Sequence, residues 1–576
     1  MEIPDYPFDA VGFGVLSIMV ALPVAFLASL ALLWVYLRAV KRSMLRRAVG
    51  EPRAEPPPSA HDASAQTVGP PEKPLDIVTG NADAISGKWT VTGRIWLAGM
   101  TYAIAGFAFA YVMATGFWLA NGFDFDWQVV LAGAIMNTLP IVITLGLVCT
   151  VSWLGLGLVV LGYALVFAAT IAVLAAGTTI TMGQVASTWF SQNRMGALMV
   201  LALLAPPIRA VGPLVAALTV GAVAGAIYII MAAYNSDAAL GLISKIYTQL
   251  HLNLYVTIAL VLLAGAIPMG LIAWLGLRWL GRRYQAHQVS DQSIMIDAIF
   301  VIFTIEYGWG LREQGLIWLL APVAAFLAYK IVATTMFRLL LRRWRPPDVH
   351  PKQLLVLRVF SLGRRSKRLF DGFSKLWRYV GTVRIIAGPD LATSTVEPHE
   401  FLDFIAGRLE RRFISSPVAL EQRLAETDLR CDPDGRYRKW SFFCHDDTWK
   451  MVVHRLARDS DAVLMDLRGF TEKARGCIYE IDELLDTMPL ERIVFVIDRT
   501  TNEISLARVF SDSWIKLGAT SPNRADREPR IRLLRFDSLY GRSIANLVAL
   551  LALAPLDHVT PTRNFQPKST VDGSVT

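Results

Sequence analysis

Asp461-Ala-Val-Leu-Met-Asp-Leu-Arg-Gly-Phe470, followed by Gly476-Cys-Ile-Tyr-Glu480 and then by Ile493-Val-Phe-Val-Ile-Asp498, is the stretch on which the fold turns. It reads as a strand, a short polar loop, a helix with one acidic side chain in its first turns, and another strand. Short runs of Val, Ile and Leu without polar alternation belong to strands buried on both faces, which means a parallel sheet covered by helices. Working outward, the same pattern predicts strands at 353–360, 383–387, 462–467, 492–497 and 530–536. Helices are predicted near 364–379, 398–412, 446–458, 476–487, 502–516 and 540–554. Right-handed crossovers make the natural assembly a doubly wound, flavodoxin-like α/β domain with a five-stranded parallel sheet over 346–555. Residues 413–445, with Asp432-Pro-Asp-Gly435 and Trp440-Ser-Phe-Phe443, read as an insertion carrying a hairpin, and 556–576 as a disordered tail.

The other half of the chain is of a different kind. Of the 576 residues 54% are hydrophobic and only 18% charged, too apolar for an ordinary soluble protein. Residues 1–47 read as an anchor helix with its N-terminus outside, because Glu2, Asp5 and Asp9 stand where a cleavable signal carries basic residues. Residues 48–92, rich in Pro, Ala, Ser and Glu, read as a disordered cytosolic linker. Residues 93–345 read as a multi-span helical domain, with spans near 95–120, 128–150, 153–176, 211–234, 254–278, 293–311 and 315–340. Sidedness requires an odd number of crossings, which makes 195–209 a short extra one and gives nine; an interfacial helix there is the alternative. Basic residues follow the spans: Arg38, Lys41, Arg42, Arg46 and Arg47; Arg278, Arg282 and Arg283; Arg338, Arg342, Arg343 and Arg345. The net charge of +9 is therefore explained by the positive-inside rule and by anionic lipid headgroups rather than by nucleic acid. This points to a bacterial-type inner membrane with the C-terminal domain in the cytoplasm; three of the four scattered cysteines (Cys431, Cys444 and Cys477, with Cys149 the fourth) fall in that domain, so free thiols are expected rather than disulfides.

Within the spans Asp297 and Lys330 flank a tight connection at 311–315. At 1.5 Å per residue each lies about 21–22 Å from it, so the two reach one depth and are expected to form a structural ion pair, with a proton or ion relay as the alternative. Gly221 and Gly225 form a small-xxx-small pair suited to close packing within the chain or to a homo-oligomer.

In open parallel sheets ligands bind at the carboxyl ends of the strands. The residues there are Ser361 and Arg364 after the first predicted strand, Gly388-Pro-Asp390 after the second, Asp466 and Arg468 after the third, and Asp498 and Arg499 after the fourth; Asp537 follows the fifth. Carboxylates that accept from sugar hydroxyls, beside guanidinium groups that hold phosphate, suit a ribose-phosphate ligand. Each Asp equally suits a helix or turn cap. Cys444-His445-Asp446-Asp447 has no second ligand pair at metal spacing, and no phosphate-binding glycine loop occurs, so no metal and no resident cofactor is expected.

Gly476-Cys-Ile-Tyr-Glu-Ile481 is similar to the helix of TIR domains, in which a Cys and two intervening residues precede the catalytic Glu. The strand–loop–Gly-x-x-x-Glu order also resembles nucleoside 2-deoxyribosyltransferases. Both groups share a flavodoxin-like sheet and break or exchange an N-glycosidic bond. The resemblance implies NAD or a nucleotide as substrate and Glu480 as the catalytic carboxylate, stabilising or attacking an oxocarbenium-like sugar. It is close over this segment and loose over the rest of the domain: Leu354-Leu-Val-Leu-Arg-Val-Phe360 lacks the TIR opening, and Gly476 stands where TIR helices carry Trp. Three functions follow as expectations: a membrane-tethered N-glycosidase, a non-enzymatic signalling or adaptor protein whose α/β domain binds a nucleotide or partner, and a regulated transporter or channel. As an alternative to catalysis, Glu480 reads as an exposed acid near a helix start.

Overall fold

The computed structural model describes residues 10–45, 71–81, 91–149, 153–175, 181–203, 211–234, 236–249, 254–311, 314–344, 351–358, 364–387, 398–445, 448–536, 541–553 and 563–564. They divide into two compact units. The first comprises Met1–Tyr36, Ile95–Arg345 and Val396–Gly407, and the second Leu37–Arg94, Pro346–Thr395 and Arg408–Thr576.

The second unit is built on one sheet. Its strands are β1 (Asp76–Asn81), β2 (Lys352–Arg358), β3 (Gly381–Ala387), β4 (Phe413–Ile414), β5 (Lys439–Cys444), β6 (Ala462–Asp466), β7 (Ile493–Ile497) and β8 (Arg530–Arg535). All eight pair in parallel, in the order β4-β5-β3-β2-β6-β7-β8-β1. A two-residue strand β9, Arg563–Asn564, pairs antiparallel with β1 at the edge. Every residue of β6 and β7 is buried, as strands covered on both faces require. The five predicted strands occupy the middle as β3-β2-β6-β7-β8, so the order reverses between β2 and β6.

Three strands correct the five-stranded expectation. β5 and β4 extend one side, so the aromatic run Trp440-Ser-Phe-Phe443 is a parallel strand rather than half of a hairpin. β1 extends the other, out of a segment expected to be disordered. It is held by more than its ladder. Trp514 Nε1 donates to the Lys73 carbonyl at 2.9 Å, Lys73 Nζ to the Arg527 carbonyl at 2.6 Å, and Asp76 N to the Pro529 carbonyl at 2.9 Å. Ile77 joins the core with Leu533 and Ile531. Gly381 opens β3 because β2 runs very close: a Cβ there would lie 1.9 Å from the Lys352 carbonyl oxygen.

The first unit contains the helices α1 (Ala10–Leu45, up to Tyr36), α2 (Val91–Ala120, from Ile95), α3 (Trp127–Met136), α4 (Leu139–Cys149), α5 (Trp153–Ala175), α6 (Met182–Leu203), α7 (Gly212–Tyr234), α8 (Asp237–Gln249), α9 (Leu254–Gln285), α10 (Asp291–Trp309) and α11 (Leu320–Trp344). Among the described residues four segments are long and apolar enough to cross a bilayer: Pro23–Ser43, Gly93–Ala120, Leu263–Gln285 and Ile317–Leu340. The pair α3 and α4, bent by 51° at Asn137-Thr138, makes a fifth if counted as one broken span. Of the segment 195–209, the part up to Leu203 forms the end of α6, and 204–210 lie outside the described residues. Gly225 meets Met269 of α9, and Gly265 of α9 meets Ala226, so this small-residue face of α7 is taken up inside the chain.

One helix departs from its expected home. Pro398–Ile405 (α12) was expected as part of a longer helix of the α/β domain, yet it packs within the first unit. Phe401 and Leu402 are buried with Val211, Leu214, Tyr284 and Ile294, and Phe404 meets Tyr36 edge-to-face at 5.4 Å. The second unit resumes at Arg408 and carries Arg364–Trp377, Pro417–Ala425, Trp449–Arg458, Arg475–Thr487, Glu503–Ile515 and Gly541–Leu553 as its helices.

Because Ile77 is only 8% exposed within the core, Ile77→Ala should destabilise the second unit by about 2–3 kcal/mol. Thermal unfolding of the purified full chain checks this; no change would mean that β1 does not add to the sheet.

Candidate functional site

Helix Arg475–Thr487 follows β6 and lays one face on the core. Cys477, Ile481, Leu484 and Leu485 are buried there, spaced by three, four and seven residues as an amphipathic helix requires. Glu480 falls inside this stripe, three residues after Cys477 and four before Leu484, and is 2% exposed. Its Oε2 is buried without a hydrogen-bond partner. Burial pushes its carboxyl up to about 8, so at neutral pH it is chiefly the uncharged acid. The exposed-acid reading of Glu480 is therefore corrected. An oxocarbenium-stabilising group would have to be ionised and to touch the sugar, whereas burial of this carboxyl favours its proton-bound form.

The neighbouring acids of the helix are also turned inward, but with partners. Glu483 Oε1 lies 2.5 Å from His454 Nδ1, and the Tyr479 hydroxyl donates to Glu483 Oε2 at 3.3 Å. Asp486 Oδ1 accepts from Gly518 N at 2.7 Å. Sequence reading passed over both. Glu483, three residues after Glu480, is its neighbour on the helix face, which was the available signal; Asp486, six residues on, lies about 120° round the helix and had none.

At the carboxyl rim of the sheet Asp466 and Arg468 hold each other. Arg468 Nε donates to Oδ1 and Nη2 to Oδ2, each at 2.8 Å, in a forked pair that is almost completely buried. Gly469 follows with φ +67°, the left-handed conformation that lets the loop turn back behind the pair. Asp498 Oδ1 accepts from Thr500 N at 2.9 Å and from its hydroxyl at 2.5 Å, a turn cap. Thr501 Oγ1 donates to the Leu467 carbonyl at 3.1 Å, joining the β6 and β7 loops. Arg499 is exposed. Ser361, Asp390 and Asp537 lie outside the described residues. Arg364 begins its helix directly after the β2 loop, at the point where the strand order reverses.

Cys444 is buried and its Sγ meets the Phe442 carbonyl at 3.6 Å; burial pushes the thiol well up, away from the reactive thiolate. His445 rests on Phe413 at 5.4 Å between ring centroids, and 446–447 lie outside the described residues. Among the described residues no three His, Cys, Asp or Glu gather as a metal site.

In the first unit Lys330 Nζ donates to Asp297 Oδ2, and the Tyr329 hydroxyl donates to Asp297 Oδ1 at 3.0 Å. The two charges named from helix counting are thus side by side, with a tyrosine that counting did not anticipate. Glu306 was not singled out from the sequence. Its Oε1 accepts from Gly196 N at 2.8 Å.

No family model, no curated protein and no solved structure matches the chain.

Two expectations follow. Between pH 4.5 and about 8 the folded chain keeps a proton on Glu480 that the unfolded chain releases, so this group's contribution to stability falls as pH rises through that window. Glu480→Gln should therefore stabilise the second unit by ~1–3 kcal/mol near pH 8 and change little near pH 4.5, read as the unfolding midpoint of both proteins against pH. For the ion pair, Asp297→Lys or Lys330→Asp alone should impair assembly, and the double swap should restore it. A double variant that elutes as poorly as either single one in detergent size exclusion would contradict pairing.

Proposed function

We propose that this chain is a membrane-anchored signalling protein whose α/β unit binds an anionic, nucleotide-like ligand at the carboxyl rim of its sheet, without covalent chemistry by Glu480. One observation carries the reading. The helix after β2 opens Arg364-Arg365-Ser-Lys-Arg368, four basic residues in its first five positions, at the reversal of strand order between β2 and β6. Such a reversal is where open parallel sheets form their ligand crevice. Basic side chains at a helix N-terminus oppose the macrodipole and raise the local potential, a cost that a bound phosphate offsets while also accepting from the free backbone N–H groups.

The Asp466–Arg468 pair supports a binding role, since it fixes the β6 loop on the other side of that reversal. The sealed, uncharged Glu480 weighs against the N-glycosidase that the TIR resemblance implies. Arginine-rich flanks after the apolar spans support a cytoplasmic location for the chain that follows Arg345.

The test is made on the full chain in detergent, titrated with NAD, ATP and inorganic phosphate by calorimetry while free base is followed chromatographically. The expected result is saturable binding of a nucleotide without turnover, weakened about tenfold or more by Arg364→Ala with Arg365→Ala, and retained in Glu480→Gln. Release of nicotinamide or another base that vanishes in Glu480→Gln would instead establish the glycosidase. Absence of binding to every anion would contradict both.

A further inference from the structure

Helix α9 ends in a doubled motif. Trp274-Leu-Gly-Leu-Arg278 is followed directly by Trp279-Leu-Gly-Arg-Arg283, so each tryptophan has an arginine four residues on. That spacing makes the two side chains neighbours on a helix. Both pairs are closed in the structure: the Arg278 guanidinium lies 4.4 Å from the Trp274 ring centroid, and that of Arg283 lies 4.7 Å from the Trp279 centroid.

The outward face of the helix is graded along its length. Leu263–Gln285 is one of the segments long and apolar enough to cross a bilayer. On it Leu271, Ile272 and Leu275 are each more than half exposed, the two tryptophans come next, and Arg278, Arg282 and Arg283, all exposed, close the face. Leu271 and Arg282 are roughly 16 Å apart along the axis. Alkyl, indole and guanidinium are the chemistries met in turn from the acyl region of a leaflet out to its headgroups.

The end of the helix is shaped as well as charged. The chain turns back at His287, whose φ of +53° is left-handed. In that turn Ala286 N donates to the Arg282 carbonyl and Gln288 N to the Arg283 carbonyl, each at 3.0 Å. The negative end of the helix is thereby partly satisfied within the chain. The turn also brings Gln288 Oε1 to accept from Arg283 Nε at 2.7 Å, which fixes the guanidinium between an amide and the indole while its Nη atoms keep their donors. Trp279, Arg282, Arg283, Ala286 and Gln288 line an open cavity of about 390 Å³. Among the described residues no carboxylate pairs with Arg278, Arg282 or Arg283. Asp403 of α12, nearby, accepts from Gln285 Nε2 at 3.3 Å.

We propose that this cavity binds the phosphodiester headgroup of an anionic phospholipid. Arg282 and Arg283 hold the phosphate oxygens, Trp279 forms the aromatic wall, and the acyl chains run back along Leu271 and Leu275. A forked guanidinium held in place suits a phosphate better than a mobile point charge does. The apolar face below it distinguishes a lipid from a soluble anion, since only a lipid uses both ends of the graded surface.

The experiment titrates the full chain in detergent with phosphatidylglycerol, and separately with phosphatidylcholine, and counts bound lipid by native mass spectrometry. Wild type should retain phosphatidylglycerol at concentrations where phosphatidylcholine is lost. Arg282→Gln with Arg283→Gln should weaken the first binding event about tenfold or more. Lys41→Gln with Arg42→Gln, which removes two exposed charges from the end of another helix, should change it less than about threefold. Arg283→Lys keeps the charge but loses the fork, and should weaken binding by about threefold or more; it alone decides if the double variant fails to assemble. Equal losses in the two double variants, an unchanged affinity in Arg283→Lys, or equal retention of both lipids overturns the site. Displacement of phosphatidylglycerol by an equal concentration of inorganic phosphate assigns a soluble anion and overturns it too.

Discussion

A parallel sheet cannot leave either face to water, and from that constraint most of the second unit follows. β6 and β7 are buried throughout, so each must be roofed by helices whose inner stripe is apolar. The helix after β6 supplies Cys477, Ile481, Leu484 and Leu485 to that stripe, and the geometry of its turns carries Glu480 in with them. A carboxylate in such surroundings is too costly to keep charged without a partner, so it holds its proton. The same residue that a motif nominates for catalysis is thereby made part of the core.

The five central strands were legible because each is a compact run of Val, Ile and Leu between polar loops, and their order follows from right-handed crossovers. β1 was not. Asp76-Ile-Val-Thr-Gly-Asn81 is short, lies in a Pro-rich stretch, and owes its conformation to β8, distant along the chain. β5 was read as part of a hairpin because Asp432-Pro-Asp-Gly435 is a strong turn signal; the turn exists, with Gly435 at φ +80°, but it leads into a strand that pairs with β3. Pro398–Ile405 shows a further limit. Phe401, Leu402 and Phe404 announce an apolar face, but nothing local says which unit that face will cover. For Glu480 the missing step was helical spacing: the residue shares a face with Cys477 and Leu484, and that alone points it inward.

Among the described residues of the first unit, two groups of polar side chains stand out. Asp297, Lys330 and Tyr329 form one, and Glu306, Gly196, Asn193 and Tyr307 the other, at the broken span. The first was reachable by counting residues from a turn. The second needed the tertiary structure, since Asn193, Thr138 and Glu306 lie on helices whose adjacency no periodicity reveals, and a helix break at Asn137-Thr138 looks in sequence like an unremarkable apolar span.

The central claim is that Glu480 is an uncharged core group at physiological pH. Isotope-edited infrared spectroscopy of the full chain, with carbon-13 glutamate and Glu480→Gln as the subtraction partner, reads that state directly. A protonated carboxyl band at pH 7 that is absent from the variant is the predicted result. A carboxylate band at pH 7 that responds to solvent pH in the ordinary glutamate range would contradict it, and would return this side chain to the list of groups able to meet a sugar cation.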